Sequence, residues 1–250
     1  MGKISILLKA LALVENWPTY IADYLGFKKG LVTYHLRNGL SYRLRAGTND
    51  RNILNEVLFH QLYNPAGFEI KKGDMVMDIG THVGIFSLFA AKTAEKVYSF
   101  EPMPENFTML SENIRLNGAK NVVAVSQAVA SSAGEKELFI DATNQGGHSL
   151  YTHLGTKDSL VTVTTLSLED VFLRYGIEKV NFLKIDCEGA EYDILFHCPK
   201  EVLAKIEKIS MEYHVIDESR NAVTLKKFLE NNNFSVVVSD KLSMLYARHN

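Results

Sequence analysis

Only two cysteines occur in the 250 residues, Cys187 and Cys198, and they stand in no metal-binding cadence. That excludes a disulfide-stapled scaffold and points to a reducing, cytoplasmic compartment. Net charge is almost absent as well: 27 basic against 29 acidic side chains leave −2, which gives no general attraction to a phosphate backbone. Nucleic acid is therefore not an expected partner. No apolar run reaches the ~20 residues of a membrane span. The run from Ile4 to Val14 has lysines on either side of its first apolar cluster, yet Glu15-Asn16-Trp17 follows it without a small-residue cleavage site. It reads as an amphipathic helix and not as a signal peptide. With 46% hydrophobic and 22% charged residues, the chain has the make-up of one globular domain with appendages, not of a repeat array or a disordered tail.

The most informative stretch is residues 75 to 94. Met75 to Ile79 reads as a short buried strand, Gly80 and Gly84 as a tight loop, and Ile85 onward as a helix apolar almost all round. Strand, glycine loop and helix in that order make a nucleotide-cofactor site. Asp78 adds a negative charge at the strand's carboxyl end, suited to a ligand ammonium and repulsive to a pyrophosphate. A dinucleotide fingerprint would also need glycine at positions 82 and 85, which hold His82 and Ile85. Asp-x-Gly-x-x-x-Gly favours S-adenosylmethionine over NAD.

Taken in order, residues 3 to 25 are expected to be helical with a break near Pro18. Leu31 to Arg37 and Leu40 to Arg45 alternate around Asn38-Gly39, which predicts a β-hairpin. Thr48-Asn-Asp caps a helix whose stripe Ile53, Val57, Leu58 and Leu62 runs to Pro65. Strands and helices then alternate: strand 97–101, helix 104–116, strand 121–129, strand-like segments 135–140 and 160–164, helix 167–175, strand 179–185, helix 190–197, strand 206–213 and helix 218–231. This predicts an α/β fold with a mostly parallel, doubly wound sheet. The last two strands, 234–239 and 243–247, are joined by four residues, too few for a parallel crossover, so they must pair antiparallel. Residues 1–47 read as a helix-and-hairpin extension and 48–250 as the cofactor-binding domain.

Glu101 lies 21 positions after Gly80 at the end of the second strand, followed by Pro102. A carboxylate there can accept both ribose hydroxyls of an adenosine. Asp186 and Glu188 share a face if the chain stays extended, as do Glu212 and His214. Methyl transfer to an oxygen calls for a base within reach of the hydroxyl, and His214 or Asp186 would suit. The polar glycine-rich loop Asn144 to Leu150 is a candidate acceptor-site flap, with His148 a second candidate base. Two carboxylates and a histidine are also a possible divalent-metal set, but no compact ligand motif exists and no metal is expected.

Asp78-Ile-Gly-Thr-His-Val-Gly84, Phe100-Glu-Pro102, Leu183-Lys-Ile-Asp-Cys-Glu-Gly-Ala-Glu191 and Met211-Glu-Tyr-His214 together resemble the FkbM-type family of S-adenosylmethionine-dependent methyltransferases. The resemblance spans roughly residues 48 to 240, and Asp-Cys-Glu-Gly-Ala-Glu is its most specific block. It implies a Rossmann-like class I methyltransferase sheet of seven strands with the last one antiparallel. It also implies methyl transfer to a hydroxyl of a small molecule or glycan, with S-adenosylhomocysteine as product. By position, Asp78, Gly80, His82 and Gly84 would hold the methionine part, His82 standing where the family usually has asparagine. Glu101 with Pro102 would bind ribose, and Gln127-Ala128 would contact adenine. Glu56 and Tyr63 match a family pattern on the preceding helix. The family topology sets the strands that end at Asp186 and His214 side by side next to the cofactor strand. The rival readings are an NAD-dependent oxidoreductase or epimerase and a catalytically silent cofactor-binding module.

Overall fold

In the computed structural model, which describes residues 3–140, 146–150 and 160–250, the chain opens with two helices, α1 (Lys3–Leu13) and α2 (Trp17–Tyr24). The break falls just before Pro18, which sits in the first turn of α2 where its missing N–H costs nothing. The predicted hairpin follows as β1 (Leu31–His35) and β2 (Ser41–Arg45), antiparallel around Gly39 at φ +89°. Helix α3 (Asp50–Leu54) comes next.

The body then runs β3 (Met75–Ile79), α4 (Ile85–Ala91), β4 (Lys96–Phe100), α5 (Pro104–Leu116), β5 (Val122–Val125), β6 (Ala128–Val129), β7 (Gly134–Phe139), β8 (Leu160–Leu166) and α6 (Leu168–Tyr175). It ends with β9 (Phe182–Ile185), α7 (Glu191–Phe196), α8 (Lys200–Leu203), β10 (Lys208–Glu212), α9 (Ala222–Asn231), β11 (Phe234–Ser239) and β12 (Met244–His249).

Seven strands form one sheet in the order β11-β12-β10-β9-β3-β4-β5. Neighbours from β10 through β5 pair parallel, and β12 is antiparallel to both β10 and β11. This is the class I methyltransferase arrangement, with the expected antiparallel ending. The chain leaves β3 toward β4 on one side and returns through β9 on the other, so a crevice opens over the carboxyl ends of β3 and β9. Alternation along β3 divides the core. Val76 joins a cluster with Val97, Phe182, α4 and the N-terminal helices and hairpin. Met77 and Ile79 join the cluster built with α6, α7 and α9 on the other face.

The extension shares the body's core and is tied to it by polar bonds. Asn113 of α5 and Asn117 at its C-cap present their side-chain amides to the backbone of Arg43 and Ser41 at 2.7–3.1 Å, imitating a neighbouring strand. Asp23 accepts from Tyr34 Oη at 2.6 Å and pairs with Arg51 at 3.0 Å.

Four boundaries depart from the sequence expectation. The helix over Ile53 to Leu62 stays α-helical no further than Leu54; Asn55–Phe59 forms a π turn that ends before Gln61 at φ +52°. Strand 121–129 is two strands: β5 completes the large sheet, while β6 pairs with β8 in a separate three-stranded sheet of order β6-β8-β7. Ser126-Gln127 separates the two apolar pieces and turns the chain. Helix 218–231 starts at Ala222, because Asp217 folds the preceding residues into a turn and Asn221 makes a capping box with Thr224. Strand β4 closes at Phe100, which leaves Glu101 just beyond it.

Candidate active site

The loop after β3 is shaped by its protein neighbours. A Cβ on Gly80, at φ +75°, would lie 1.6 Å from the carbonyl oxygen of Asp186. One on Gly84, at φ +88°, would lie 2.6 Å from Leu110 Cδ1 of α5. Packing thus requires Gly80, and the left-handed backbone favours glycine at both positions, before any ligand is considered. Asp78 is fully buried, accepts from Ser87 Oγ at 2.7 Å and pairs with Lys184 Nζ at 3.1 Å. It does not line the cavity, so the ligand ammonium expected at Asp78 is replaced by the ammonium of Lys184, which also donates to Gly80 O at 2.7 Å. The register pairing Asp78 with Lys184 across β3 and β9 sets this up.

An open cavity lies over the loop. Its floor includes Gly80, Thr81 and His82, and Glu101 and Pro102 line it from the end of β4. Glu101 is buried; its two oxygens accept the backbone N–H groups of His82 at 2.7 Å and Met103 at 2.9 Å. Burial pushes its carboxyl up to about 7 against the pull of those two N–H groups. Ala128, Val129 and Leu138 add an apolar wall from the second sheet. Gln127 turns away, its Oε1 accepting from Arg174 at 2.8 Å, so only Ala128 of the predicted pair reaches the cavity. Of the glycine-rich loop, Gly146, His148 and Leu150 line the cavity, while Asn144 and Gln145 lie outside the described residues.

At the ends of β9 and β10 the predicted ionisable groups do converge, though not by an extended chain. Glu188 takes φ +50°, and Ser149 Oγ donates to its carbonyl at 2.5 Å. Tyr63, buried behind the π turn, donates to Asp186 Oδ2 at 2.7 Å and lies 3.4 Å from Glu212 Oε2. Lys184 Nζ is 3.7 Å from Asp186. Burial, with Asp186 as neighbour, raises Glu212 to about 8 and Glu56 to about 7. Glu56 therefore belongs to this acidic group and is not among the cavity-lining residues.

His214 occupies a different place from the one expected of a free base. Its Nε2 is 3.1 Å from Glu188 and its Nδ1 3.2 Å from Glu191. Burial alone would lower its pKa, but the hydrogen bonds to Glu188 and Glu191 outweigh it and push the ring up to about 11. Glu191 is fully buried and also accepts the backbone N–H groups of His214 at 2.7 Å and Gly189 at 2.9 Å. His214 is thus an imidazolium clamp behind Glu188, and of this group Asp186 and Glu188 are the carboxylates that face the cavity. Asp186, Glu188 and His214 each bring a potential ligand atom within 4.8 Å of the others.

A family profile described as the methyltransferase FkbM domain matches residues 78–236. The chain belongs to the FkbM methyltransferase family. It is 25% identical over 234 residues to the 31-O-demethyl-FK506 methyltransferase FkbM of Streptomyces tacrolimicus, an alignment covering 82% of this chain and 89% of that one. The hexuronic acid methyltransferase AglP of Haloferax volcanii is 27% identical over 128 residues, 51% of each chain. The crystal structure of methyltransferase FkbM from Methylobacillus flagellatus KT superposes with a TM-score of 0.55 at 13% identity; the match covers 76% of this chain and 48% of that one, and it bears on the fold alone.

In this FkbM-family methyltransferase the matched segment begins at Asp78, yet four polar residues at the site come from before it. Arg45 Nη2 lies 2.9 Å from His82 Nε2, Asp50 Oδ1 lies 3.4 Å from the same nitrogen, and Glu56 and Tyr63 join the acidic group. The sequence offered Glu56 and Tyr63 through the family resemblance. Lys184 stood within a quoted motif and Asp50 within the expected helix cap, both without a role at the site, and Arg45 carried no signal, because what places all three is register and packing between distant elements. Ser149, which fixes Glu188, stood within the singled-out loop but without an assigned role. Among the described residues no helix is long and apolar enough to cross a membrane.

Proposed function

We propose that this FkbM-family protein is an S-adenosylmethionine-dependent O-methyltransferase of a reducing, cytoplasmic compartment, with residues 48–250 as its catalytic domain and 1–47 as an extension. The acceptor is a hydroxyl of a small molecule or glycan. One observation carries the reading: a single cavity joins a buried ribose-type carboxylate, Glu101, to a carboxylate held for proton transfer, Asp186. The names of the relatives, a 31-O-demethyl-FK506 methyltransferase and a hexuronic acid methyltransferase, support an acceptor of that class.

The residues present fit the methyl donor. Glu101 offers its remaining lone pairs to the ribose hydroxyls, Ala128, Val129 and Leu138 give an apolar seat for a purine, and the Gly80 to His82 backbone borders the methionine end. Bound there, S-adenosylmethionine supplies an electrophilic methyl group. Asp186 accepts the hydroxyl proton of the acceptor. Tyr63 and Lys184 fix its carboxylate in place, and Glu212 stands 3.4 Å from the Tyr63 hydroxyl as a protonated neighbour at neutral pH. The His214 imidazolium holds Glu188 at the cavity wall as a second acceptor for substrate hydroxyls. Gly146, His148 and Leu150 line the same cavity and would contact the acceptor.

Calorimetric titration with S-adenosylhomocysteine tests the donor half: binding at micromolar to millimolar concentration is expected, and its absence overturns the reading. Labelled donor incubated with a fractionated cell extract tests the acceptor half, with transfer of label to a hydroxyl of a small molecule or glycan as the expected product. Asp186→Asn is expected to lower turnover ~10²-fold or more with product binding retained. Unchanged turnover would take the proton-accepting role from Asp186.

A further inference from the structure

The charge of the chain is unevenly divided. Residues 3–31 hold four lysines and two acidic side chains, a net +2, so the rest of the chain carries −4. Apolar exposure is divided the same way. Of fourteen large hydrophobic side chains exposed at the surface among the described residues, seven lie between Leu8 and Leu31. Phe27 is 77% exposed, Leu8 61% and Leu25 57%, while Lys28 and Lys29 stand exposed immediately after Phe27. Leu8 and Leu11 point outward from α1 as Ala10 and Val14 pack inward. These are the parts of an interfacial anchor: an aromatic at a loop tip, leucines on a helix, and ammonium groups on flexible stems beside them.

The patch also has a fixed relation to the cavity. Gly30 O accepts from Ala46 N at 2.8 Å and Leu31 pairs with Arg45, whose guanidinium meets His82 on the cavity floor. Lys9 of α1 donates to Phe59 O at the end of the π turn, whose Val57 lines the same cavity. Helix α1 is thus bonded to the π turn that gives part of the cavity wall, and the exposed loop 25–31 leads into the hairpin whose Arg45 meets the cavity floor.

From this we infer that residues 3–31 form a docking face for an anionic lipid surface, which would present acceptors at the membrane interface to the cavity. The docking goes beyond the proposed chemistry, and only the presentation of acceptors rests on that reading. Lipid is favoured over a protein partner because every cation among these residues is a lysine. Protein interfaces enrich arginine and deplete lysine, whereas an anionic headgroup layer attracts either.

Co-sedimentation of the full-length protein with vesicles tests it. The protein is expected to pellet with phosphatidylcholine vesicles containing one-third phosphatidylglycerol, to stay in solution with phosphatidylcholine alone, and to be released by high salt. Phe27→Ser, and separately the pair Lys28→Glu and Lys29→Glu, are expected to weaken partitioning about tenfold or more with an unchanged circular dichroism melt. Three results would overturn the proposal: no pelleting with the anionic vesicles, pelleting that neither variant weakens, or self-association that Phe27→Ser abolishes in the absence of any vesicle binding.

Discussion

Arg45 Nη2 stands 2.9 Å from His82 Nε2, and because a guanidinium can only donate, that ring nitrogen must accept. The proton of the neutral imidazole is then on Nδ1. Burial first, with Arg45 and Lys184 adding to it against Asp50, lowers His82 to about 4, so the ring stays neutral through the physiological range. The arrangement depends on Asp50, fully buried and accepting from the Arg45 N, Nε and Nη2 at 2.9 Å.

Asp50→Asn is therefore expected to leave a half-buried guanidinium short of its counter-charge and to cost on the order of 3 kcal/mol in chemical denaturation. The same change frees Arg45 from His82, so affinity for S-adenosylhomocysteine should fall as well, although Asp50 precedes the family-matched segment. A variant with wild-type stability and affinity would show that the extension does not support the cofactor loop.

The His214 clamp gives a pH signature. Its folded-state pKa, about 11, is raised from 6.5, so its stabilising contribution is complete below about pH 6.5 and is lost as pH rises toward 11. Comparing thermal midpoints of the wild type and His214→Gln should show the largest deficit at pH 6, on the order of 3 kcal/mol, shrinking steadily by pH 10. A deficit that grows with pH would mean that the ring is neutral in the folded state. In turn, a pH–rate profile is expected to show no histidine-like inflection from this residue between pH 5 and 8.

Glu212 gives the opposite test by substitution. Burial first and Asp186 second raise its pKa from 4.5 to about 8, so folding holds it protonated and the wild type loses stability as pH rises from about 4.5 through 8. Glu212→Gln cannot ionise and keeps a similar shape. It is expected to match the wild type near pH 5 and to melt several degrees higher at pH 8.5. A variant less stable than the wild type at pH 8.5 would show that a Glu212 carboxylate is stabilised by a partner.

How much of this was legible in the sequence depends on distance along the chain. Met75 to Ile79, the glycine loop, the Asn38-Gly39 hairpin and the antiparallel ending were legible because each is written in a few adjacent residues. Glu101 was legible too, its spacing from Gly80 being one helix plus one strand. Partnerships set by register were not: nothing near Asp78 announces Lys184, and nothing near His214 announces Glu191. The assumption of an extended chain at Glu188 fails at a left-handed residue, φ +50°, whose carbonyl is held by Ser149 from a distant loop. The assignment of Gln127 to adenine came from the family resemblance by position; the chain turns there between β5 and β6, and the side chain goes to Arg174.

The two loop glycines separate backbone clashes from side-chain clashes. At Gly80 the obstacle is a backbone oxygen, Asp186 O, 1.6 Å from where a Cβ would stand, and it cannot yield without moving the end of β9. At Gly84 the obstacle is Leu110 Cδ1 at 2.6 Å, the far end of a side chain that can change rotamer or be removed. Gly80→Ala is thus expected to abolish folding or to cost more than about 3 kcal/mol, and no single side-chain truncation nearby should restore it. Gly84→Ala is expected to cost less, and the double variant with Leu110→Ala should show a favourable coupling of about 1 kcal/mol relative to the sum of the single changes. Some penalty persists in the double variant because alanine at φ +88° is strained whatever the space around it. Additive effects in that cycle would mean that the penalty at Gly84 is all backbone conformation, with no contribution from its contact with α5.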